Sequence, residues 1–276
     1  MRQRRCRPWL GTFVEIEADC AVAIEAAFKA VALVHRLMSA HEPDSELSRL
    51  NRSTGGAPVR LSQDTRTVLD RALFWARQSD GAFDPVAAGH NAVARGDIPL
   101  HDGQRALDPS ADFEALMMEG EFARLDRIGC IDLGGIAKGH AVDVAVAALR
   151  KVGMTDGMVN AGGDLFAFGE PRRVVVPDPI NGAARFTLML RDRAVATSAG
   201  QRGDGGLDFA HLPRRRADHV SVTVEAPRAI DADALTKIAF ARHPHLPRLL
   251  ALADARAIAI IASGEVVELA GERLAA

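Results

Sequence analysis

Ile131-Asp132-Leu133-Gly134-Gly135-Ile136-Ala137-Lys138-Gly139-His140 stands near the middle of the chain, with Ala141-Val142-Asp143 behind it. An acid, three glycines and a lysine fall within eight residues, just ahead of a helix-like run. Gly134 and Gly135 carry no Cβ, so backbone N–H groups there can come close to a bound group. A following helix adds its own free N–H groups and its positive end, which suits a phosphate. Lys138 offers a full positive charge. Asp132 offers an acceptor for hydrogen bonds or a face for a metal. The organising expectation is a site for a phosphate-bearing ligand around this turn.

Outward from the turn, the elements do not alternate strand with helix. Val14 to Ala18 reads as a half-buried strand and Ala21 to Ala40 as a long helix with a wide apolar face. Pro43 ends that helix, and Asp44 or Ser45 caps a short new one. His41, just beyond the long helix, either stacks on a ring or is a solvated loop residue. Ser62 to Ser79 is a second long helix, N-capped by Ser62 and closed by Gly81. Phe83 beside Asp84 reads either as a hydrophobic plug or as an aromatic ligand wall. Residues 86–120 are weakly patterned, and loops and short helices are expected. Phe122 to Leu133 is expected to supply one or two strands that deliver the central turn.

A helix over Gly139 to Val152 follows, with Asp143 either holding the turn's backbone or facing solvent. Val159-Asn160-Ala161-Gly162-Gly163-Asp164 is a strand, a break and a second strand. Its Asn160, Gly162 and Gly163 allow a second backbone approach to a ligand, although Asn, Gly and Asp also make ordinary turns. Arg172–Val176 and Arg185–Leu190 read as neighbouring strands. A further strand ends in Thr197, Ser198 and Gly200. His219–Val224 has a strict period of two. Asp231 or Asp233 is expected to cap the helix over Ile230–Phe240. Leu246–Leu252 is a helix, and Ile258–Ile261 with Glu265–Leu269 a terminal hairpin. Hairpin neighbours without regular βαβ alternation indicate α+β with antiparallel sheet.

The composition sets limits. Of 276 residues, 48% are hydrophobic and 25% charged, which is ordinary for a globular chain. A net charge of −2 implies no general nucleic-acid partner. The Arg2-Gln3-Arg4-Arg5 and Arg214-Arg215-Arg216 patches read as solvated basic surface. Cys6, Cys20 and Cys130 are too few and too far apart for a disulfide framework, and Cys130 reads as a core residue. No run has the length of a membrane span. The basic start leads into Pro8 and Gly11 without an apolar segment, so no signal peptide is read and a cytoplasmic setting is expected.

Six separated motifs together resemble one family. Ser45–Asn51, Gly81–Pro85, Asp132–Gly139, Val159–Asp164, Ala194–Ser198 and Ala232–Leu235 follow the order and spacing of the ApbE family, over about Leu10 to Leu269. The resemblance implies one domain of tandem, T-fold-like α+β halves, approximately 1–130 and 131–276, with antiparallel sheets, flanking helices and the active site between them. It implies Mg²⁺-dependent transfer of FMN from FAD to a threonine or serine hydroxyl of an acceptor flavoprotein, releasing AMP. FAD pyrophosphatase activity and non-catalytic flavin binding are the alternatives. By position, His41 stands where the family often has an aromatic residue near the isoalloxazine. Ala82, Phe83 and Asp84 match a flavin-contacting loop, and Asp132 and Lys138 match FAD-contacting positions. Thr197 and Ser198 match a hydroxyl pair that lines the site. The Ala137 carbonyl and the Asp233 carboxylate match metal ligands, and Thr236 is the candidate hydroxyl ligand beside them. His211 matches the histidine of a base or leaving-group element.

Two departures stand out. The family usually has Thr four residues after the metal-binding Asp. That place is Lys237 here, and Thr236 is one residue out of phase, so on a helix its hydroxyl is expected to point elsewhere. The segment His211-Leu212-Pro213 is also shorter than the family pattern and lacks its Asp-Pro.

Overall fold

The structure, a computed structural model, describes residues 2–53, 56–100, 106–203, 206–208, 218–241 and 243–269. It divides into two compact units, residues 1–31 with 138–276, and residues 32–137 inserted between them.

The larger unit opens with the hairpin β1 (Gln3–Trp9) and β2 (Thr12–Ala18). The two turn residues, Leu10 and Gly11, both have left-handed φ (59° and 71°). That geometry matches the right-handed twist of the strands it joins. β1 was not anticipated. Its Arg-rich, mostly exposed residues suit a sheet edge, where charge discourages further pairing. Helix α1 (Ala21–Met38) leads out of this unit.

In residues 32–137, α2 (Glu46–Arg52), strand β3 (Val59–Arg60), α3 (Gln63–Gln78) and α4 (Pro85–Arg95) precede β4 (Leu116–Glu119) and β5 (Phe122–Leu125). The strands form a small antiparallel sheet in the order β3-β5-β4. Ser45 and Ser62 cap α2 and α3 as expected. Two expectations need correction. The region after residue 85 holds an eleven-residue helix and a strand, where loops and short helices were expected. The strand before the central turn stops at Leu125. Beyond it, Asn51 takes the part of a neighbouring strand: its Nδ2 donates to the Ile131 carbonyl (3.0 Å) and its Oδ1 accepts the Ile131 N–H (2.8 Å).

The chain then enters α5 (Ala137–Lys151), β6 (Gly157–Ala161), β7 (Asp164–Phe168), the β8 (Arg172–Pro177) and β9 (Ala184–Leu190) hairpin, and β10 (Arg193–Ala199). After the short pair β11 (Gln201–Gly203) and β12 (Gly206–Asp208) come β13 (His219–Ala226), α6 (Ala229–Phe240), α7 (Leu246–Leu252), β14 (Arg256–Ile261) and β15 (Val266–Glu268). The main sheet runs β1-β2-β6-β7-β10-β13-β14-β15, antiparallel throughout. The fold is therefore α+β with antiparallel sheets, as expected.

One core of this unit packs Ile24 and Phe28 of α1 and Val142 and Val146 of α5 with Ile16, Val159, Phe166 and Phe168 of the sheet. Each such burial contributes roughly 1.5–3 kcal/mol. A second core sets Leu165 and Val195 with Val176, Leu188 and Leu190 of the β8–β9 hairpin. β13 is buried along its whole length, not on one face as its period of two suggested. Its polar positions find partners inside: Thr223 meets Thr197 across the strands (3.0 Å), and Glu225 holds Arg193 and Arg256. Cys130 is buried as expected, and burial pushes its thiol up to about 12. Among the described residues no helix is long and apolar enough to cross a membrane.

Candidate active site

The inserted unit holds the central turn. The Asp132 N–H donates to the Pro85 carbonyl (2.9 Å), and Asp132 Oδ1 accepts the Gly134 N–H (2.8 Å). The N–H groups of Ile136 and Ala137 both reach the Leu133 carbonyl (3.0 and 2.8 Å). A Cβ on Gly134 would lie 3.2 Å from Asp132 Oδ1, so glycine allows this closure. The Gly134 amide expected to face a phosphate is thus engaged by the turn's own carboxylate. Burial raises the Asp132 pKa against the pull of that N–H. The Gly135 position lies inside the same turn.

The Ala82-Phe83-Asp84 loop also serves its own unit. The Phe83 N–H donates to Ser79 Oγ (3.1 Å), and its ring is buried at 5% exposure. That enclosure is what a hydrophobic plug has. Asp84 caps α4, with Oδ1 accepting from Val86 and Ala87 (2.9 and 3.0 Å). His41 is exposed in the turn after α1, its N–H on Ser39 Oγ (3.3 Å).

The larger unit gathers side chains from four elements. Lys138, in the first turn of α5, lies 2.8 Å from Oδ2 of Asp164 at the start of β7. On α6, Asp233 Oδ1 is 3.0 Å from Lys237 Nζ, and Oδ2 accepts the Gly139 N–H of α5 at 3.3 Å. The ammonium of Lys237 also donates to Ser198 Oγ on β10 (2.7 Å) and to Thr236 Oγ1 (3.0 Å). Thr236 donates to the Asp233 carbonyl (2.7 Å) and meets Ser198 Oγ (2.7 Å). Both carboxylates are almost fully buried, while the two ammonium groups keep some exposure.

This arrangement corrects the expectation for Thr236. By bonding back to the carbonyl three residues earlier, its hydroxyl swings toward β10 instead of away. Lys237 reaches one turn toward the helix start, the direction in which helical side chains lean, and so meets Asp233. The Thr197–Ser198 pair is split. Neighbours on a strand face opposite sides, so Ser198 joins the cluster and Thr197 bonds Thr223.

Electrostatics hold Lys138 charged. Burial works against the Lys138 charge, but Asp164 and then Asp233 outweigh it and raise its pKa. Burial and then the Asp233 charge push Asp164 upward.

Carboxylates of α5 and α6 also organise the helix ends. Neither Asp231 nor Asp233 caps α6, contrary to expectation. Asp143 of α5 does, its two oxygens accepting from Ala229 (2.8 Å) and Ile230 (3.0 Å). A Cβ on Gly139 would lie 2.3 Å from the Ala229 carbonyl oxygen, so α5 must have glycine there. At the β6–β7 turn, Asn160 Oδ1 accepts the Gly163 N–H (3.0 Å), and Gly162 and Gly163 have φ of 65° and 101°. These residues form an ordinary hairpin turn. Asp164 and Lys237 were not among the expected site residues. Asp164 stands in the Asn-Ala-Gly-Gly-Asp motif, but its pairing with Lys138 has no local signal. His211 lies outside the described residues.

Mg²⁺ requires oxygen ligands at about 2.0–2.1 Å in near-octahedral array. The Asp233 and Thr236 oxygens that would supply them already accept the Lys237 ammonium. Asp233 Oδ2 faces a backbone N–H. The residues as arranged do not fit a Mg²⁺ ion at Asp233.

A model of the ApbE family matches residues 10–261. The FAD:protein FMN transferase of Treponema pallidum is 28% identical over 260 residues, covering 81% of this chain and 72% of its own. That of Vibrio cholerae is 30% identical over 226 residues, 73% of this chain and 68% of its own. Among solved structures, the ApbE protein of Thermotoga maritima superposes with a TM-score of 0.85 at 22% identity, over 97% of both chains. The flavin transferase ApbE of Vibrio cholerae gives 0.81 at 24%, over 97% and 96%. These two likenesses establish a shared fold.

Proposed function

The chain belongs to the ApbE family, and from that premise we propose that it transfers FMN from FAD to a threonine or serine hydroxyl of a flavoprotein. The acceptor oxygen attacks the phosphorus on the flavin side of the diphosphate. A new phosphoester bond forms, the bond from that phosphorus to the bridging oxygen breaks, and AMP leaves with that oxygen. The acceptor's proton leaves through a base, for which His211 is the residue we nominate, and ends on AMP or solvent.

The observation that carries the reading is the family match over most of the chain, joined to a buried cluster that keeps cations in place. Lys138 is held charged by Asp164, so it offers fixed positive charge and donors toward a diphosphate. Because Mg²⁺ does not fit at Asp233, no step is assigned to it.

Purified chain, FAD and an acceptor flavoprotein with a threonine site test the reading. Covalent flavin fluorescence on the denatured acceptor, with one AMP per flavin, is the expected result. AMP released equally without acceptor, or no AMP at all, overturns it. Lys138→Met is expected to slow AMP formation by about 100-fold, the size of losing one fixed charge-stabilising donor.

A further inference from the structure

We propose that the Lys237 ammonium is a built-in cation that fills the place of Mg²⁺ on Asp233, so that this chain binds FAD without a divalent metal. The inference rests on the flavin-transfer reading for its substrate and goes beyond it in replacing the metal.

An ammonium has three donors. All three of Lys237 are engaged, by Ser198 Oγ at 2.7 Å, Asp233 Oδ1 at 3.0 Å and Thr236 Oγ1 at 3.0 Å. One carboxylate oxygen and two hydroxyl oxygens are the ligand types a hard cation would take. The same oxygens here converge on a single nitrogen. The position is also built, since Asp233, Thr236 and Ser198 are all buried. Lys237 is therefore not a surface charge that brushes the site. It is the counter-ion of a buried carboxylate.

Charge balance points the same way. Asp164 and Asp233 are matched by Lys138 and Lys237. A dication beside Asp233 would stand a few ångströms from the Lys237 charge and be repelled by it, the more so in a site poor in water. With Asp233 neutralised from within, it does not repel a diphosphate. Lys237 has no donor left for that diphosphate, so the direct contact falls to Lys138.

The full-length chain tests this with Mn²⁺ alone as the metal probe, read by the free-ion electron paramagnetic resonance signal, and with FAD affinity measured in EDTA and in Mg²⁺. Wild type is expected to leave the Mn²⁺ signal unchanged and to bind FAD equally in both media. Lys237→Thr vacates the oxygens. It is expected to bind Mn²⁺ roughly tenfold tighter or more, the size of effect a neighbouring group has on metal affinity, and its FAD binding becomes sensitive to EDTA. A purely structural ion pair would not produce that switch. Lys237→Met, which removes the charge but keeps most of the bulk, is expected to gain Mn²⁺ as well and serves if the threonine variant does not fold. Wild-type Mn²⁺ binding that Asp233→Asn abolishes, or wild-type FAD affinity lost in EDTA, overturns the inference. Failure to form AMP with an acceptor overturns the transfer reading instead and leaves the metal result standing.

Discussion

The helices of residues 32–137 start on side chains beside them in the chain, whereas α5 and α6 start on each other. Ser45 caps α2, Ser62 caps α3 and Asp84 caps α4, each within three residues of the N–H it satisfies. In the larger unit, Asp143 of α5 takes the first N–H groups of α6, and Asp233 of α6 takes one from the first turn of α5. A local cap fixes where one helix begins. A reciprocal pair fixes the register of two helices against each other, and with it the spacing of Lys138, Asp233 and Lys237. The cluster's geometry is thus a product of long-range capping.

The strongest way to break that register is at the contact that brings the two helix ends together. Gly139→Ala would put a methyl carbon 2.3 Å from the Ala229 carbonyl oxygen and 2.6 Å from its carbon. Neither is the end of a flexible side chain, so one helix must move. The expected cost is about 3 kcal/mol, with loss of soluble protein a realistic form of it. Urea denaturation measures it. An unchanged midpoint would mean that α5 and α6 slide apart freely, and the reciprocal caps would then not set the register.

The same contrast explains what the sequence disclosed. Ser45, Ser62 and the antiparallel strands were legible because cap and helix, or strand and turn, are neighbours in the chain. The α6 cap was assigned to Asp231 or Asp233 because only nearby acids were visible. The true cap, Asp143, lies on another helix. Thr236 was placed by helix phase alone, and its bond to the Asp233 carbonyl altered the direction that phase implied. Strand β1 was missed because an exposed edge strand carries charge instead of an alternating apolar pattern. The Asp132 turn was found by its composition, but composition does not tell that Asp132 engages the Gly134 N–H itself. The long reach of α5 toward α6 had no sequence signal at all.

A smaller perturbation of the reciprocal caps is Asp143→Asn. Burial raises the Asp143 carboxyl from 3.8 to about 6, against the pull of its two N–H donors. The folded protein therefore holds this proton more tightly than the unfolded chain does. The group's stabilising contribution is complete below about pH 4 and is lost as the pH rises through about 6. With partial solvation the change across that window is on the order of 1–2 kcal/mol. Asparagine does not titrate, so the variant is expected to lack this slope. It also has one acceptor oxygen where Asp143 has two, which costs about 1–2 kcal/mol at neutral pH. Urea midpoints from pH 4 to 8 separate the two effects. Equal slopes in both proteins would remove Asp143 as the titrating cap. Because α6 carries Asp233 and Lys237, AMP formation is expected to fall along with stability.

Ser62→Ala sharpens the comparison from the other side, and its expected effect is the smallest. Ser62 Oγ accepts the Thr65 N–H at a long 3.4 Å and lies 2.9 Å from Glu46 Oε2. The backbone N–H of Ser62 also reaches both Glu46 oxygens, at 3.0 and 2.9 Å, and alanine keeps that N–H. Glu46 therefore retains donors after the change, and the start of α3 is only partly undone. The loss is expected to be about 0.5–1 kcal/mol, at the low end for a serine cap. It involves no N–H of a second helix, so it leaves the register of α5 and α6 alone. AMP formation should match wild type while the urea midpoint moves slightly, whereas Asp143→Asn moves both. A Ser62→Ala chain that lost AMP formation as strongly as Asp143→Asn would show that local caps also set the cluster, and the distinction between the two kinds of helix start would no longer separate stability from activity.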